Sequence, residues 1–210
     1  MKSIFTALAT IAATSLLLSN CFADETPVAK DAKETKPLQA GTAIPDITLK
    51  NAQGKDVKLS SLHQDGPVVL VFFRGGWCPI CTRHTGALIK AHPQIKELGA
   101  ELVGISPDNT ESSKENVTKN SIPFPILSDA DVAAAKAFGL AFRVDDETLK
   151  KYKGFGIDLE KASGQQHHAL PVPAVFIVDK AGKIAFAHSD PDYRQRLDVE
   201  RILNELKKLK

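Results

Sequence analysis

The chain has 210 residues, of which 27 are Lys or Arg, 25 are Asp or Glu, and 43% are hydrophobic. This length and composition fit one globular domain with short extensions. Three cysteines are too few for a scaffold held by disulfides, and a formal net charge of +2 gives no strongly basic surface, so a disulfide-rich fold and a nucleic-acid partner are excluded.

Residues 1–23 are predicted to be a cleaved secretory signal peptide. A basic residue precedes an apolar stretch over residues 4–18, and residues 21–23 (CFA) resemble a small-x-small cleavage site. Residues 18–21 (LSNC) also resemble an imperfect lipobox, so a lipid anchor on Cys21 is the alternative, and only this would bring the protein to a membrane. Either route predicts a secreted or periplasmic protein that retains the two cysteines further along the chain.

Residues 24–38 are predicted to be a flexible linker, because they are charged, contain two prolines and lack an apolar period. The folded domain is expected over residues 39–210. Apolar and polar residues alternate over residues 47–59 on both sides of a turn-like NAQGK segment, which predicts a β-hairpin. The apolar run VVLVFF at residues 68–73 then predicts a central strand that is buried on both faces.

A helix is expected to begin at Pro79, since proline is tolerated at the first helical position, and Pro93 is expected to kink or divide it. Further along the chain, a buried strand is predicted over residues 101–106 and a polar helix over residues 110–120. A short alanine-rich helix, capped by Ser128 or Asp129, is predicted over residues 128–139. A hairpin over residues 174–188 and an amphipathic helix over residues 199–209 follow. This order of elements predicts an α/β fold, with helices on both faces of a mixed sheet.

The two cysteines of the domain lie at the start of the predicted helix, in the segment WCPIC. This spacing brings the Cys78 and Cys81 sulfurs within disulfide reach, and the helix N-terminus favours a thiolate on the leading cysteine. The preceding strand and the Gly-Gly turn place the pair at the carboxyl edge of the sheet. We therefore predict a redox-active Cys78–Cys81 disulfide, with an inert disulfide as the alternative.

No metal or cofactor is predicted at this pair. Structural zinc would need two more ligands, and covalent haem would need a histidine in place of Thr82. His167 and His168 raise a less favoured alternative, a copper-binding module of the chaperone kind that holds the metal with two cysteines and a distant histidine. Such modules separate their cysteines by three residues, whereas two separate them here.

Residues 72–81 (FFRGGWCPIC) resemble the F-F-R-G-x-W-C-P-x-C signature of peroxiredoxin-like proteins of the AhpC/TSA (alkyl hydroperoxide reductase/thiol-specific antioxidant) group. Agreement continues at residues 101–107, 138–143 and 170–174 and covers about residues 39–210. The resemblance implies a thioredoxin-like three-layer sandwich with a mixed β-sheet between helices. It also implies that Pro173 is a cis-proline facing the thiols, and that Val172 presents its backbone to a bound thiol substrate.

The resemblance leaves the nucleophile open. On the peroxiredoxin pattern P-x-x-x-T-x-x-C, Cys81 takes the peroxide-attacking position, Cys78 replaces the threonine and Arg74 replaces the proline. The arginine that peroxiredoxins place before the late strand is absent, since Val172 and Pro173 stand there.

Two mechanisms follow from these assignments. In an exported thiol-dependent peroxidase, a hydroperoxide oxidises Cys81, Cys78 captures the sulfenic acid, and an external dithiol, either a thioredoxin-like protein or a low-molecular-weight thiol, reduces the disulfide. In a thioredoxin-like thiol-disulfide oxidoreductase, Cys78 attacks a substrate disulfide and Cys81 resolves the mixed disulfide. We predict the peroxidase, and the oligomeric state stays open.

Flanking side chains are predicted to support the thiols. Arg74 is expected near the pair, where its charge would lower a thiol pKa, and Trp77 is expected to pack beside the site and restrict access. Arg83 and His84 are expected on the surface of the helix.

Overall fold

The computed structural model describes residues 28–210. The predicted signal peptide and the lipidation candidate Cys21 lie outside these residues. Within the described part of the chain, no helix is both long and apolar enough to cross a membrane.

A mixed sheet of seven strands forms the centre of the molecule, and a small two-stranded sheet lies apart from it. The strands are β1 (Thr48–Asn51), β2 (Asp56–Lys58), β3 (Val68–Phe72), β4 (Glu101–Ser106), β5 (Ile126–Ser128), β6 (Ala141–Arg143), β7 (Ala169–Pro171), β8 (Ala174–Val178) and β9 (Ile184–Ser189). The order in the large sheet is β2-β1-β5-β4-β3-β8-β9, and β6 pairs with β7. Because β3 is parallel to β4 and antiparallel to β8, the predicted mixed sheet is confirmed.

Six helices pack around the sheet in the described residues. They are α1 (Pro79–Glu97), α2 (Thr110–Asn120), α3 (Ala133–Ala137), α4 (Asp146–Gly154), α5 (Leu159–Ser163) and α6 (Val199–Lys207). Helix α1 runs through Pro93 without a break, so the predicted division there is wrong. Proline removes one backbone N–H, whereas burial of Leu88, Ala91 and Ile95 holds both halves of α1 in place.

The predicted cap of the alanine-rich helix is provided by Asp129. Its two carboxylate oxygens accept hydrogen bonds from the N–H groups of Ala134 and Ala135, each at 2.8 Å. The N-cap position itself is Val132, in the left-handed conformation, so the capping carboxylate acts from a short distance upstream.

Side chains alternate along β3 and fill two separate cores. Val69 and Val71 belong to a cluster with Cys78 and Cys81, which we call the thiol face, and this cluster also takes in side chains of α1, α2 and α6. Val68, Leu70 and Phe72 belong to the aromatic face, where α3 and the ring of Phe176 pack. Helices thus cover both sides of the sheet, which confirms the thioredoxin-like three-layer sandwich.

Residues 28–38 pack against the domain rather than forming the flexible linker that their composition predicts. Ala29 donates to Ala141 O at 2.9 Å and accepts from Arg143 N at 2.8 Å, and Leu38 donates to Phe138 O at 3.1 Å. The prediction is wrong here because backbone hydrogen bonds to β6 and to the residues before it hold the segment, and the side chains of Val28, Ala32 and Leu38 pack against the cores.

Candidate functional site

The thiol pair lies where β3 turns sharply into α1. Gly75 has φ of +145°, and a Cβ atom there would overlap the Trp77 indole nitrogen and lie 2.7 Å from Asp108 Oδ1. Cys78 N–H then donates to Gly75 O at 3.2 Å, and Cys78 O accepts the first helical hydrogen bond from Thr82 N at 3.0 Å. The glycine turn therefore places Cys78 at the N-cap of α1, as the sequence predicts, with Cys81 one turn further on.

The two cysteines are free thiols, each 2% exposed, and their environments separate their pKa values. The pKa of Cys78 is lowered to about 6, first by a hydrogen bond from the Cys81 thiol and then by the charges of Arg74 and Arg196. The pKa of Cys81 is raised well above its usual value by burial and by the neighbouring Cys78 thiolate. These directions favour the thiolate on Cys78 and the proton on Cys81.

Arg196 is a site residue that the sequence analysis does not identify. Its Nη2 donates to Cys81 Sγ at 3.3 Å, and its Nε is buried without a hydrogen-bond partner among residues 28–210. The side chain comes from the segment between β9 and α6, more than a hundred residues from Cys81 in sequence. The only sequence signal for Arg196 is indirect. Peroxiredoxins place an arginine before the late strand, and this chain has Val172 and Pro173 there instead, so an arginine from another segment is needed.

Arg74 lies beside the thiols, as predicted, inside a cluster of aromatic rings. Its guanidinium lies 4.0 Å from the centre of the Tyr193 ring, 5.2 Å from Trp77 and 5.5 Å from Tyr152, and it donates to the Tyr152 hydroxyl. Although Arg74 is buried, these π-faces and the hydroxyl compensate its charge. The sequence analysis identifies Arg74 and Trp77, but not the two tyrosines that hold them.

Asp108 is a buried carboxylate next to the glycine turn. Oδ2 accepts from Gly76 N at 2.7 Å and from Ser106 Oγ at 3.3 Å, whereas Oδ1 has no hydrogen-bond partner among residues 28–210. Burial raises the pKa of Asp108 to about 6. Its place directly after β4, at the carboxyl edge of the sheet, is the signal by which sequence analysis could have found it.

His84 is half-buried rather than on the helix surface, so its predicted exposure is wrong. The segment before α6 covers this side of α1, and His84 Nε2 lies 3.2 Å from Leu197 O. Burial and then the charge of Arg196 lower the pKa of His84 to about 4, so the ring is neutral near pH 7. Arg83 is exposed, as expected.

The predicted cis-proline is also wrong, because no peptide bond within residues 28–210 is cis. Val172 and Pro173 connect β7 of the small sheet to β8 of the large one, and Val172 N–H already donates to Leu140 O at 2.9 Å. The Val172 side chain packs on the aromatic face, away from the thiols. Pro173 lines a small cavity together with His84 and Arg196.

His167 and His168 do not join the cysteines. His167 Nε2 lies 2.7 Å from Ala130 O, and His168 Nε2 lies 2.7 Å from Glu160 Oε1. In the part of the chain that the structure describes, no three His, Cys, Asp or Glu side chains converge on a metal-sized site. The geometry gives the copper-binding alternative no support.

Comparisons with known proteins identify the family of the chain. The AhpC/TSA family model matches residues 40–187. The chain is 29% identical to chloroplastic peroxiredoxin Q of Sedum lineare over 179 residues, which cover 85% of this chain and 81% of that protein. It is 34% identical to chloroplastic peroxiredoxin Q of Populus jackii over 172 residues, which cover 82% of this chain and 68% of that protein.

A solved structure shows the same fold. The crystal structure of peroxidoxin BcpB from Mycobacterium tuberculosis superposes with a TM-score of 0.64 at 23% identity, covering 82% of this chain and 99% of that one.

Proposed function

Because the chain belongs to the AhpC/TSA family and is a peroxiredoxin-like oxidoreductase, we propose that it reduces hydroperoxides through a dithiol–disulfide cycle of Cys78 and Cys81. The observation that carries this proposal is a free thiol pair at the start of α1 in a chain that the AhpC/TSA family model matches. The pKa of Cys78, lowered to about 6, and the raised pKa of Cys81 support it by making one thiol reactive. Peroxide reduction needs a thiolate as its nucleophile, and a protonated neighbouring thiol can then resolve the sulfenic acid that forms.

We assign the attack to Cys78. Its thiolate sulfur attacks the terminal peroxide oxygen, the O–O bond breaks, and the leaving alkoxide takes a proton from water, which gives Cys78 sulfenic acid and an alcohol. The Cys81 sulfur then displaces the hydroxyl group, and its thiol proton leaves with that group as water. The product is the Cys78–Cys81 disulfide, which two external thiol groups reduce.

Three charged side chains support this chemistry. Arg74 and Arg196 stabilise the thiolate, and the Arg196 hydrogen bond to Cys81 Sγ also orients the resolving sulfur. Asp108 accepts the Gly76 N–H and so fixes the turn that presents Cys78. Although Cys81 takes the attacking position in the family pattern, the electrostatics of this site favour Cys78.

Stopped-flow mixing of the reduced protein with hydrogen peroxide and with an organic hydroperoxide tests the activity. Trp77, the single tryptophan of the chain, packs beside the pair and serves as a fluorescent reporter. We expect oxidation at least about 100-fold faster than that of free cysteine at equal thiolate concentration. Oxidation no faster than free cysteine would contradict the peroxidase.

Matched serine variants test the assignment of the nucleophile. Cys81→Ser should accumulate sulfenic acid on Cys78, trapped by dimedone and located by mass spectrometry, whereas Cys78→Ser should form none. The opposite pattern would transfer the attacking role to Cys81, in line with the family pattern.

The second candidate is a thiol-disulfide oxidoreductase, and the same division between a reactive Cys78 and a protonated Cys81 favours it. In that function Cys78 would attack a substrate disulfide, and Cys81→Ser would trap the mixed disulfide. Rapid insulin reduction combined with slow peroxide oxidation would support it over the peroxidase.

Export is a separate proposal, supported by the apolar stretch at residues 4–18 and the CFA segment that follows. N-terminal sequencing of the protein recovered from the periplasm of a bacterial host should begin at Asp24. Incorporation of labelled palmitate would favour the lipid anchor on Cys21. An intact Met1 in a cytoplasmic fraction would contradict export.

A further inference from the structure

A surface cleft of about 270 Å³ opens beside the turn that precedes α1. Gly76 and Trp77, the two residues before Cys78, line it together with Asp108, whereas neither cysteine is among its lining residues. Its walls come from α2 and from residues 156–162, which include most of α5. The cleft therefore reaches the chain segment next to the reactive sulfur, and its size suits a small molecule rather than a folded partner.

The walls of the cleft carry charges of both signs. Lys119 and Glu115 come from α2, whereas Lys161 and Asp158 come from the opposite wall. Within residues 28–210, none of these four side chains takes part in an ion pair. Asp158 Oδ1 accepts the Lys161 backbone N–H at 3.0 Å as the cap of α5, which leaves its other oxygen, the Glu115 carboxylate and two ammonium groups for a ligand that itself carries both charges.

Asp108 adds a buried carboxylate to the wall of the cleft. Its Oδ2 accepts from Gly76 N and Ser106 Oγ. Burial raises the pKa of this carboxylate, and the Trp77 indole that lies against it acts in the opposite direction. Oδ1 makes no hydrogen bond of normal length within residues 28–210, so it retains the capacity to accept an amide or ammonium N–H group from a ligand.

On the premise of the proposed peroxidase cycle, we propose that this cleft binds the reductant, and that the reductant is a small peptide-like thiol carrying both ammonium and carboxylate groups. Lys119 and Lys161 bind its carboxylates, Glu115 and Asp158 face its ammonium group, and Asp108 Oδ1 accepts one of its N–H groups. The apolar side of the Trp77 ring accommodates its carbon chain.

The reduction balances with two molecules of this thiol. The first thiolate attacks the Cys78 sulfur of the disulfide, the S–S bond breaks, and the released Cys81 thiolate takes up a proton. The second thiolate attacks the mixed disulfide at the sulfur of the bound thiol, which releases the reduced Cys78 thiolate and the oxidised thiol as its disulfide.

The test starts from the Cys78–Cys81 disulfide formed with diamide, so that it does not depend on peroxide. Glutathione, which carries one ammonium and two carboxylate groups, is compared with uncharged 2-mercaptoethanol by Trp77 fluorescence. In Lys119→Ala/Lys161→Ala we expect the glutathione rate constant to fall about five- to tenfold at low salt, while that of 2-mercaptoethanol stays within about twofold. Lys114→Ala, which removes an exposed charge of α2 outside the cleft, should change neither.

Several results would overturn the proposal. Glutathione that reduces the wild-type disulfide no faster than 2-mercaptoethanol at equal thiolate concentration would do so, as would equal losses for both thiols in the double variant. A thioredoxin-like protein that reduces the disulfide rapidly where glutathione does not would assign the cycle to a protein reductant. If the reduced protein reacted with peroxide no faster than free cysteine, the peroxidase function would be contradicted. The measured reduction of the diamide-formed disulfide by glutathione would be unaffected.

Discussion

The two faces of the central sheet differ in what they bury, although β3 contributes to both. The thiol face holds Cys78 and Cys81, with the charged side chain of Arg74 buried nearby. The aromatic face is filled by apolar side chains, among them Phe72 and Phe138, whose ring centres lie 4.9 Å apart. Both faces bury an apolar core, but only one of them also holds the thiols, so a substitution on the aromatic face should change stability without changing the reactivity of the thiols.

The largest expected effect is on the aromatic face. Phe138 is fully buried and packs against Phe72 and Phe176, so Phe138→Ala should lower the free energy of unfolding by about 3–5 kcal/mol. Urea unfolding would measure this loss. The alkylation rate of Cys78 in the folded variant should stay within about twofold of wild type.

Phe155→Ala is the matched control, because that ring is 79% exposed and its removal should change stability by less than about 0.5 kcal/mol. If Phe138→Ala altered the pKa of Cys78 as strongly as it altered stability, the separation between the two faces would not hold.

A smaller effect, confined to reactivity, is expected at Arg196. Arg196→Met removes the hydrogen bond to Cys81 Sγ and a positive charge that lowers the pKa of Cys78. The pKa of Cys78 should rise, and the rate constant for peroxide at pH 7 should fall by about tenfold.

Arg194→Met gives the control for this change. Arg194 lies in the same segment but is exposed and paired with Asp192, so its loss should leave the peroxide rate within about twofold. Equal losses in the two variants would show that the overall charge of the segment, rather than the contact with Cys81, controls the thiols.

The hydrogen bond within the thiol pair, the first cause of the lowered pKa of Cys78, should show its effect in the pH dependence of the thiol. The thiolate is the form present above the pKa, so the rate of Cys78 alkylation by iodoacetamide should rise through about pH 6 and level off at higher pH. In Cys81→Ala this midpoint should move towards the ordinary thiol value of about 8.5, and alkylation at pH 7 should fall about three- to fivefold.

Cys81→Ser retains a hydroxyl donor at the same position and should keep its midpoint closer to pH 6. Identical midpoints in the serine and alanine variants would show that the helix N-terminus and the arginines, rather than the Cys81 hydrogen bond, dominate the pKa of Cys78.

Predictions from local patterns agree well with the structure. The hairpin of β1 and β2, the buried strand β3, and the helices that begin at Pro79 and Thr110 all lie where the sequence indicates. Strands β5 to β7 and helices α4 and α5 were not predicted. The three strands and α5 have three to five residues, too few for a clear apolar period, and α4 is almost entirely polar and buries no residue.

The wrong predictions concern partners that are distant in sequence. Residues 28–38 are charged and lack an apolar period, yet their backbone pairs with β6. His84 is predicted on the helix surface, yet the segment before α6 covers it. The cis state assigned to Pro173 came from the family pattern, whereas the bond is trans in this chain.

Local sequence patterns are enough to identify the thiol pair and its place at a helix N-terminus after a buried strand, because these features depend on neighbours within a few residues. The family resemblance adds the thioredoxin-like fold. The preference for a thiolate on Cys78 follows only from the folded chain, because it depends on burial and on side chains from remote segments. Arg196 and Asp108 reach the pair through chain packing, and no local pattern encodes the distances that make their charges effective.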